Sequence, residues 1–514
     1  MRRWPFVLLA LKNNSDYEFI TIDTPPIRNP YLKWAFFFCL SLFMLLWLSN
    51  DSYLVHSCTY REDSAWFFTA GKAWMEGMTP YVDFADSKGP LLWLIYGIGY
   101  LITPKSFIGV FWLTVLSYTF TFAFLWRTAR LFVERRAALL VLAVMPWFLF
   151  LKMHHDEVRA EDFCMPFVCI GIYCTCRVLN DSFSVPLMRK CAFGLGAAMA
   201  CSLLIKWNMF VMMGGMALIV AGVSVGNKRV DGVLFGLLGM AVVVLPFILY
   251  FICNGNFGAL IQEYFVTTFL ITGNGANPGT WHTLIFILDK DLSSVYNLVE
   301  LLGVIVGICL FCRKFRMSYW LLLSYIPFCL FMMFKPSWYY YYIIIMPFFI
   351  FLVVYVANAC SSLLNKMRRW QYLGVVTVVY FFAIGSNVIV GRLIFFHYEG
   401  ESEWEAIQNV VAKKHKARII VSKDMGYGLY SQALPGCKYW ALQSGVTPEM
   451  KAERYRAIRK RKADFVIIPN RENVEENEPH FFSFLQQCGY HQCVAPVVEN
   501  GKTVMKALPV WAKE

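Results

Sequence analysis

Residues 61–92, REDSAWFFTAGKAWMEGMTPYVDFADSKGPLL, decide how the rest of the chain is read. Two carboxylates, Glu62 and Asp63, head an aromatic run, and Asp83, Asp86 and Lys88 stand immediately before an apolar one. A strongly apolar segment precedes the stretch, and nearly everything from 107 to 391 is apolar. Ionisable groups held against a bilayer are costly, so such a cluster marks a functional site.

Composition points the same way. The 514 residues are 58% hydrophobic and 16% charged, against about 25% charged in ordinary soluble domains, so a water-soluble fold is excluded. The formal net charge of +13 does not indicate nucleic acid, because most Lys and Arg occur in short clusters between apolar runs and serve as a topology signal. Most of the 16 cysteines lie in or beside apolar runs, where a free thiol acts as a small hydrophobe. Cys437, Cys488 and Cys493 fall in a polar region and could pair in ways the sequence does not specify. The opening MRRWPFVLLALKNN has too short an apolar core, and no following cleavage site, for a signal peptide. It reads as a cytoplasmic interfacial segment.

A helix needs about 20 apolar residues to cross a bilayer. The runs 33–49, 107–126, 137–151, 163–179, 190–206, 208–225, 230–252, 295–312, 317–334, 339–358 and 371–391 give about eleven spans. The run 89–102 is short, carries Gly97 and Gly99, and is expected not to cross. Then Arg127, Arg130, Arg135 and Arg136, the pair Arg189 and Lys190, Lys228 and Arg229, Arg313 to Arg316, and Lys366 to Arg369 all share one side with Arg2 and Arg3. The opposite, outer side receives 61–88, 154–162, 206–208, 254–291 and 335–342.

From 396 onward the apolar runs shorten. A helix over 403–415, a strand over 418–422, a basic helix over 448–461 and a strand over 464–469 predict a small α/β domain. The expected organisation is a cytoplasmic segment 1–32, a membrane domain 33–395 with an outer loop 50–106, and an extracytoplasmic α/β domain 396–514. The fold class is thus a polytopic α-helical membrane protein with a small C-terminal α/β domain.

Several residue groups suit chemistry at the outer face. Asp63, supported by Glu62, suits a general base, though an acid at a helix start also suits capping. Lys88, with Asp83 and Asp86, suits a lipid phosphate, against the simpler reading of a snorkelling lysine. Lys206 lies between two apolar runs too tight to leave a real loop, and suits either a phosphate contact or snorkelling to the outer headgroups. Lys335 precedes the tyrosines 339–342, which suit either sugar contact or an interfacial belt. The 154–162 loop offers Arg159 and Glu161 as site residues. His155, Asp156 and Glu157, with His154, are of the types that hold a divalent ion such as Mg or Mn. The glycines and asparagines of 272–279 suit a mobile loop, and no phosphate-loop motif is present.

The acidic pair, the juxtamembrane aromatic run and G-x-x-P-Y-x-D-x-x-D-x-K-G-P-L-L over 77–92 resemble the GT-C superfamily of integral-membrane glycosyltransferases. The likeness is to the aminoarabinose transferases and protein mannosyltransferases, in which K-P-P-L or H-P-P-L-G-K occupies this place. Gly89 replaces the first proline. The resemblance implies inverting transfer of a sugar from a polyprenyl-phosphate donor to an acceptor hydroxyl on the outer side, with Asp63 or Glu62 as base. Lys88, Asp86, Asp83, Arg159, Glu161, Lys206, Lys335, Tyr339 and Tyr340 would then contact the donor. It also implies that the second outer acidic loop can help hold a metal, although the chemistry requires no cofactor. The expected partners are the lipid-linked sugar, a glycan, lipid or protein acceptor and membrane lipids, and the expected location is the bacterial inner membrane. The alternative from another class is a transporter or flippase of a lipid-linked or anionic solute.

Overall fold

The computed structural model describes residues 30–48, 62–150, 158–268, 292–334, 339–395, 401–422, 427–430, 432–441, 447–469, 474, 478, 480–499 and 502–513, with only the backbone given at some element ends. The first helices are α1 Pro30–Leu48, α2 Glu62–Met75, α3 Pro90–Ile102, α4 Ile108–Ala129, α5 Arg135–Leu149, α6 Ala160–Asn180 and α7 Val185–Ile205. There follow α8 Trp207–Met212, α9 Gly214–Gly226, α10 Asp231–Cys253, a π-helical turn Ile261–Thr267, and α11 Leu292–Phe315. The later membrane helices include Ile350–Ala359 and Arg369–Phe395. Among the described residues eight helices are long and apolar enough to cross a membrane. They coincide with eight of the expected runs. α3, with 13 residues, is about 20 Å long and falls short of the roughly 30 Å hydrocarbon core. It packs on α2, which is also too short to cross.

The helices segregate charge between two ends. Arg136 donates to the carbonyls of Leu364 (2.7 Å) and Met367 (3.0 Å), and Tyr372 donates back to the Arg136 carbonyl (2.9 Å). Asp231 joins Arg189 (2.7 Å) to Arg229 (2.8 Å). Lys33 lies within electrostatic reach of Arg127 and Arg130. At the other end the Ser64 hydroxyl donates to the Val158 carbonyl (2.6 Å), the Gly89 N–H to Ile205 (2.9 Å), and the Asn256 amide to Pro80 (3.1 Å). The basic clusters that make these contacts therefore share one end, and the 62–89 segment lies at the other.

The C-terminal sheet has the order β2-β1-β3-β5-β4, built from β1 Arg418–Val421, β2 Leu434–Pro435, β3 Phe465–Ile467, β4 Tyr490–Glu499 and β5 Lys502–Lys513. β1 runs parallel to β2 and β3, with Ile420 opposite Val466, and β5 is antiparallel to β3 and β4. The crossover helix Pro448–Arg459 starts with Pro448 in its first turn and the Thr447 hydroxyl accepting from the Met450 N–H (3.3 Å). Cys437, Cys488 and Cys493 are free thiols.

This domain shares its core with the membrane part. Trp66, Tyr81, Phe84 and Trp93 belong to one buried cluster with Ile419, Val421, Tyr427 and Trp440. The Ala85 N–H donates to the Lys438 carbonyl (2.9 Å), and Lys438 pairs with Glu263 on the π-helical turn (2.7 Å). Lys72 of α2 donates to the Gly428 carbonyl, and Lys416 pairs with Glu76.

Gly89 is a point of close backbone approach next to this packing. Its N–H is used by Ile205, and a Cβ there would collide with the Leu204 carbonyl. Gly89→Ala is expected to cost about 3 kcal/mol through overpacking against backbone, seen as a lower thermal midpoint in detergent. An unchanged midpoint would show that α3 and α7 do not meet here.

Candidate functional site

The loop between α2 and α3 is held by its own backbone. The Tyr81 N–H donates to the Phe84 carbonyl (2.8 Å) and the Asp83 carboxylate accepts from the Thr79 N–H (2.7 Å). Tyr81 adopts φ 65°, a left-handed conformation that is uncommon for a bulky side chain. It is kept there by full burial, with its ring 4.6 Å from Trp93 and its hydroxyl donating to the Lys88 carbonyl (2.9 Å). The strain, of order 1 kcal/mol, fixes where Asp86 and Lys88 emerge.

Lys88 is half-buried, with its ammonium 5.3 Å from the centroid of the Phe67 ring on α2. The next residue makes the Gly89–Ile205 hydrogen bond, and the residue after Ile205 is Lys206. A single backbone bond therefore brings two lysines from distant parts of the sequence to one place. Proline could not donate that bond, which gives a physical reason for glycine where the family pattern has proline. Lys206 sits at the junction of α7 and α8. It pairs with Glu161, and its ammonium lies 4.3 Å from the Tyr341 ring centroid. The side chains of Lys206 and Glu161 are 9% and 2% exposed, so the pair is sealed from bulk water.

Asp63 stands in the first turn of α2, beside the Ser64 that anchors that helix to Val158. Its charge acts on both Asp86 and Lys206. Asp86 is half-buried overall, but its Oδ2 is enclosed with no hydrogen-bond partner. Burial raises the Asp86 carboxyl above the usual range, opposed by Lys88 and the Ser87 N–H and reinforced by Asp63. Arg159 is buried at the start of α6. Its N–H donates to Asp162 Oδ2 (2.7 Å), whose other oxygen accepts from the Tyr118 hydroxyl (2.6 Å). Asp162 thus caps and ties its helix, leaving Glu161 for Lys206.

The residues expected from the sequence divide accordingly. Asp63, Asp86, Lys88, Glu161 and Lys206 are linked through these contacts and fields, with Arg159 two residues from Glu161. Asp83 lines a cavity beside the C-terminal domain that none of these residues lines. Lys335, His154, His155, Asp156, Glu157, the 272–279 segment and the side chains of Glu62, Tyr339 and Tyr340 lie outside the described residues. No group of three His, Cys, Asp or Glu side chains suited to a metal occurs among the described residues. Tyr341 and Phe67, beneath the two ammonium groups, were not singled out by sequence, because each stands in a run of aromatic residues.

Comparisons with known proteins bear on what this arrangement is. Residues 87–252 match the family model described as dolichyl-phosphate-mannose-protein mannosyltransferase. The fold is similar to ArnT from Cupriavidus metallidurans in its apo state, with a TM-score of 0.59 at 12% identity over 94% of this chain and 98% of that one. The same enzyme bound to undecaprenyl phosphate gives 0.57 at 13% identity, over 94% and 97%. The oligosaccharyltransferase of Archaeoglobus fulgidus gives 0.48 at 10% identity, over 93% and 73%. No curated protein is significantly similar in sequence. The family match and the fold support a multi-pass membrane glycosyltransferase of the GT-C superfamily.

Two outcomes follow from the site's electrostatics. Glu161→Gln leaves the buried Lys206 ammonium without its counter-charge and is expected to cost about 3–5 kcal/mol. The Glu161→Gln/Lys206→Met double variant should recover much of the lost thermal midpoint, and no recovery would mean the two do not act as a pair. For Asp86 the folded state holds the proton more tightly than the unfolded chain, so stability is lost as pH rises from the ordinary carboxyl value through the raised folded one, and the full penalty is present above it. Asp86→Asn should therefore leave stability equal or higher at neutral pH. A lower midpoint for Asp86→Asn would show that the ionised carboxylate is stabilising.

Proposed function

We propose that this chain transfers a sugar from a polyprenyl-monophosphate donor to an acceptor hydroxyl, with inversion, on the membrane face that carries the C-terminal domain. In this reading 1–32 is cytoplasmic, 33–395 is the transferase domain of a bacterial inner-membrane protein, and 396–514 lies outside the cytoplasm. The observation that carries it is the Gly89–Ile205 hydrogen bond, which sets Lys88 and Lys206 close together near Asp63 and Asp86. The ArnT structure with undecaprenyl phosphate supports a lipid phosphate as the leaving group.

The acceptor oxygen forms a bond to the anomeric carbon as the bond from that carbon to the phosphate oxygen breaks. The electron pair leaves with the phosphate, and the acceptor proton passes to the Asp63 carboxylate, with Glu62 assisting. Lys88, Lys206 and Arg159 stabilise the charge growing on the phosphate. Glu161 and Tyr341 hold the Lys206 ammonium in place, and Asp86 Oδ2 accepts from a sugar hydroxyl. Lys335, Tyr339 and Tyr340 complete the donor contacts, Tyr340 being next to Tyr341. Phosphate leaves readily, and no step is assigned to a metal.

With purified protein and radiolabelled polyprenyl-phosphate sugars, Asp63→Asn is expected to lower turnover at least about 100-fold. Lys88→Ala should lower it by about 10- to 100-fold, the loss of one group that stabilises charge. Full activity in both variants would remove these assignments. Movement of the intact lipid-linked sugar across the membrane, with its sugar–phosphate bond uncut, would establish a flippase instead.

A further inference from the structure

A cleft of about 570 Å³ opens between the 78–83 segment and the C-terminal domain, away from the residues assigned to the donor. Five cations converge on it from separate elements. They are Arg418 of β1, Lys438 after β2, Arg456 of the crossover helix, and Lys460 and Lys462 in the turn beyond. Asp83 and Glu453 supply the acidic side chains.

The convergence of these cations distinguishes the cleft from an ordinary solvated surface. Elsewhere on the domain several basic side chains are matched, Lys414 and Lys513 with Asp464 (both 2.7 Å), Lys451 with Glu478 (2.8 Å) and Lys506 with Glu403 (2.8 Å), whereas others such as Lys413 and Lys502 stand singly on the surface, with no ion pair among the described residues. In the cleft, Lys438 is engaged by Glu263, and Arg418 is anchored through its guanidinium to the Pro435 carbonyl (3.1 Å). Arg456, Lys460 and Lys462 are exposed and have no ion pair among the described residues. Cations gathered in excess of the cleft's acids, Asp83 and Glu453, repel one another, and an anion entering the cleft relieves that repulsion. The volume is that of a small-molecule site rather than of an extended polymer track.

We infer that this cleft binds an anionic saccharide, with phosphate or carboxylate groups on the Arg456, Lys460 and Lys462 side and sugar hydroxyls donating to Asp83 and Glu453. Asp83 is three residues from Asp86, at most about 10 Å along the chain, so the cleft adjoins the loop that carries Asp86 and Lys88. The saccharide's role as acceptor rests on the function proposed above, while its binding does not.

The test uses the full-length protein in zwitterionic nanodiscs, with glucose 1,6-bisphosphate as the probe and calorimetry as the readout. Wild type is expected to bind the bisphosphate and not glucose. K460E/K462E should weaken that binding at least about tenfold, roughly threefold per reversed exposed charge. R456Q should weaken it less, and both variants should keep the wild-type thermal midpoint. Equal binding in wild type and K460E/K462E overturns the inference. So does loss of binding on adding phosphatidylglycerol to the nanodiscs, which would assign the cleft to a lipid headgroup, or tighter binding of an acidic peptide. D63N separates the two readings, since it should bind like wild type while losing turnover. Binding sensitive to K460E/K462E in a protein that turns over no polyprenyl donor leaves this inference standing and removes the function. Turnover with no binding does the reverse.

Discussion

The structure depends on answering one charge. Lys206 stands between α7 and α8 with no loop through which its ammonium could reach water, and Glu161 meets it from the start of α6. A buried lysine without such a partner would lose its proton or unfold its surroundings. The pairing in turn requires the start of α6 to be held correctly. Asp162 does this by capping its own helix and accepting from Tyr118, and Val158 does it by accepting from Ser64 and Tyr96. The first turn of α2, with Asp63, is thereby tied to the same place.

The second organising feature is the short pair α2 and α3. Neither helix reaches across the hydrocarbon, so the loop joining them stays at one end of the bundle and is available to the C-terminal domain. Ala85 pairs with Lys438 there as an added backbone contact, and Glu263 meets both Lys438 and Tyr439 (3.1 Å). The loop is thus clamped between the π-helical turn and the sheet domain, with Asp86 and Lys88 facing one way and Asp83 the other.

Much of this was legible in the sequence because it follows from local rules. Apolar runs predicted the long helices to within a few residues, the glycines and length of 89–102 predicted a helix that does not cross, and β1, β3 and their crossover helix followed from short apolar runs around a basic amphipathic one. What sequence could not show was pairing at a distance. Nothing in the residues around Glu161 points to Lys206, 45 positions away, and nothing in Gly89 announces a bond to Ile205. Asp83 and Asp86 looked like one acidic group, yet Asp83 lines the cleft beside the sheet domain while Asp86 has an enclosed oxygen beside Lys88. The tyrosines at 339–342 gave no basis for choosing Tyr341, since the choice depends on which ring faces Lys206.

The shared core between the sheet domain and α2 changes what the polar C-terminal part of the chain is. Trp66, Tyr81 and Phe84 share a core with Tyr427 and the β1 residues, and Lys72 donates to the Gly428 carbonyl, so cutting the chain near 396 would strip a greasy wall from α2. The piece is therefore no interchangeable cassette, because its core closes only against the helices beneath it.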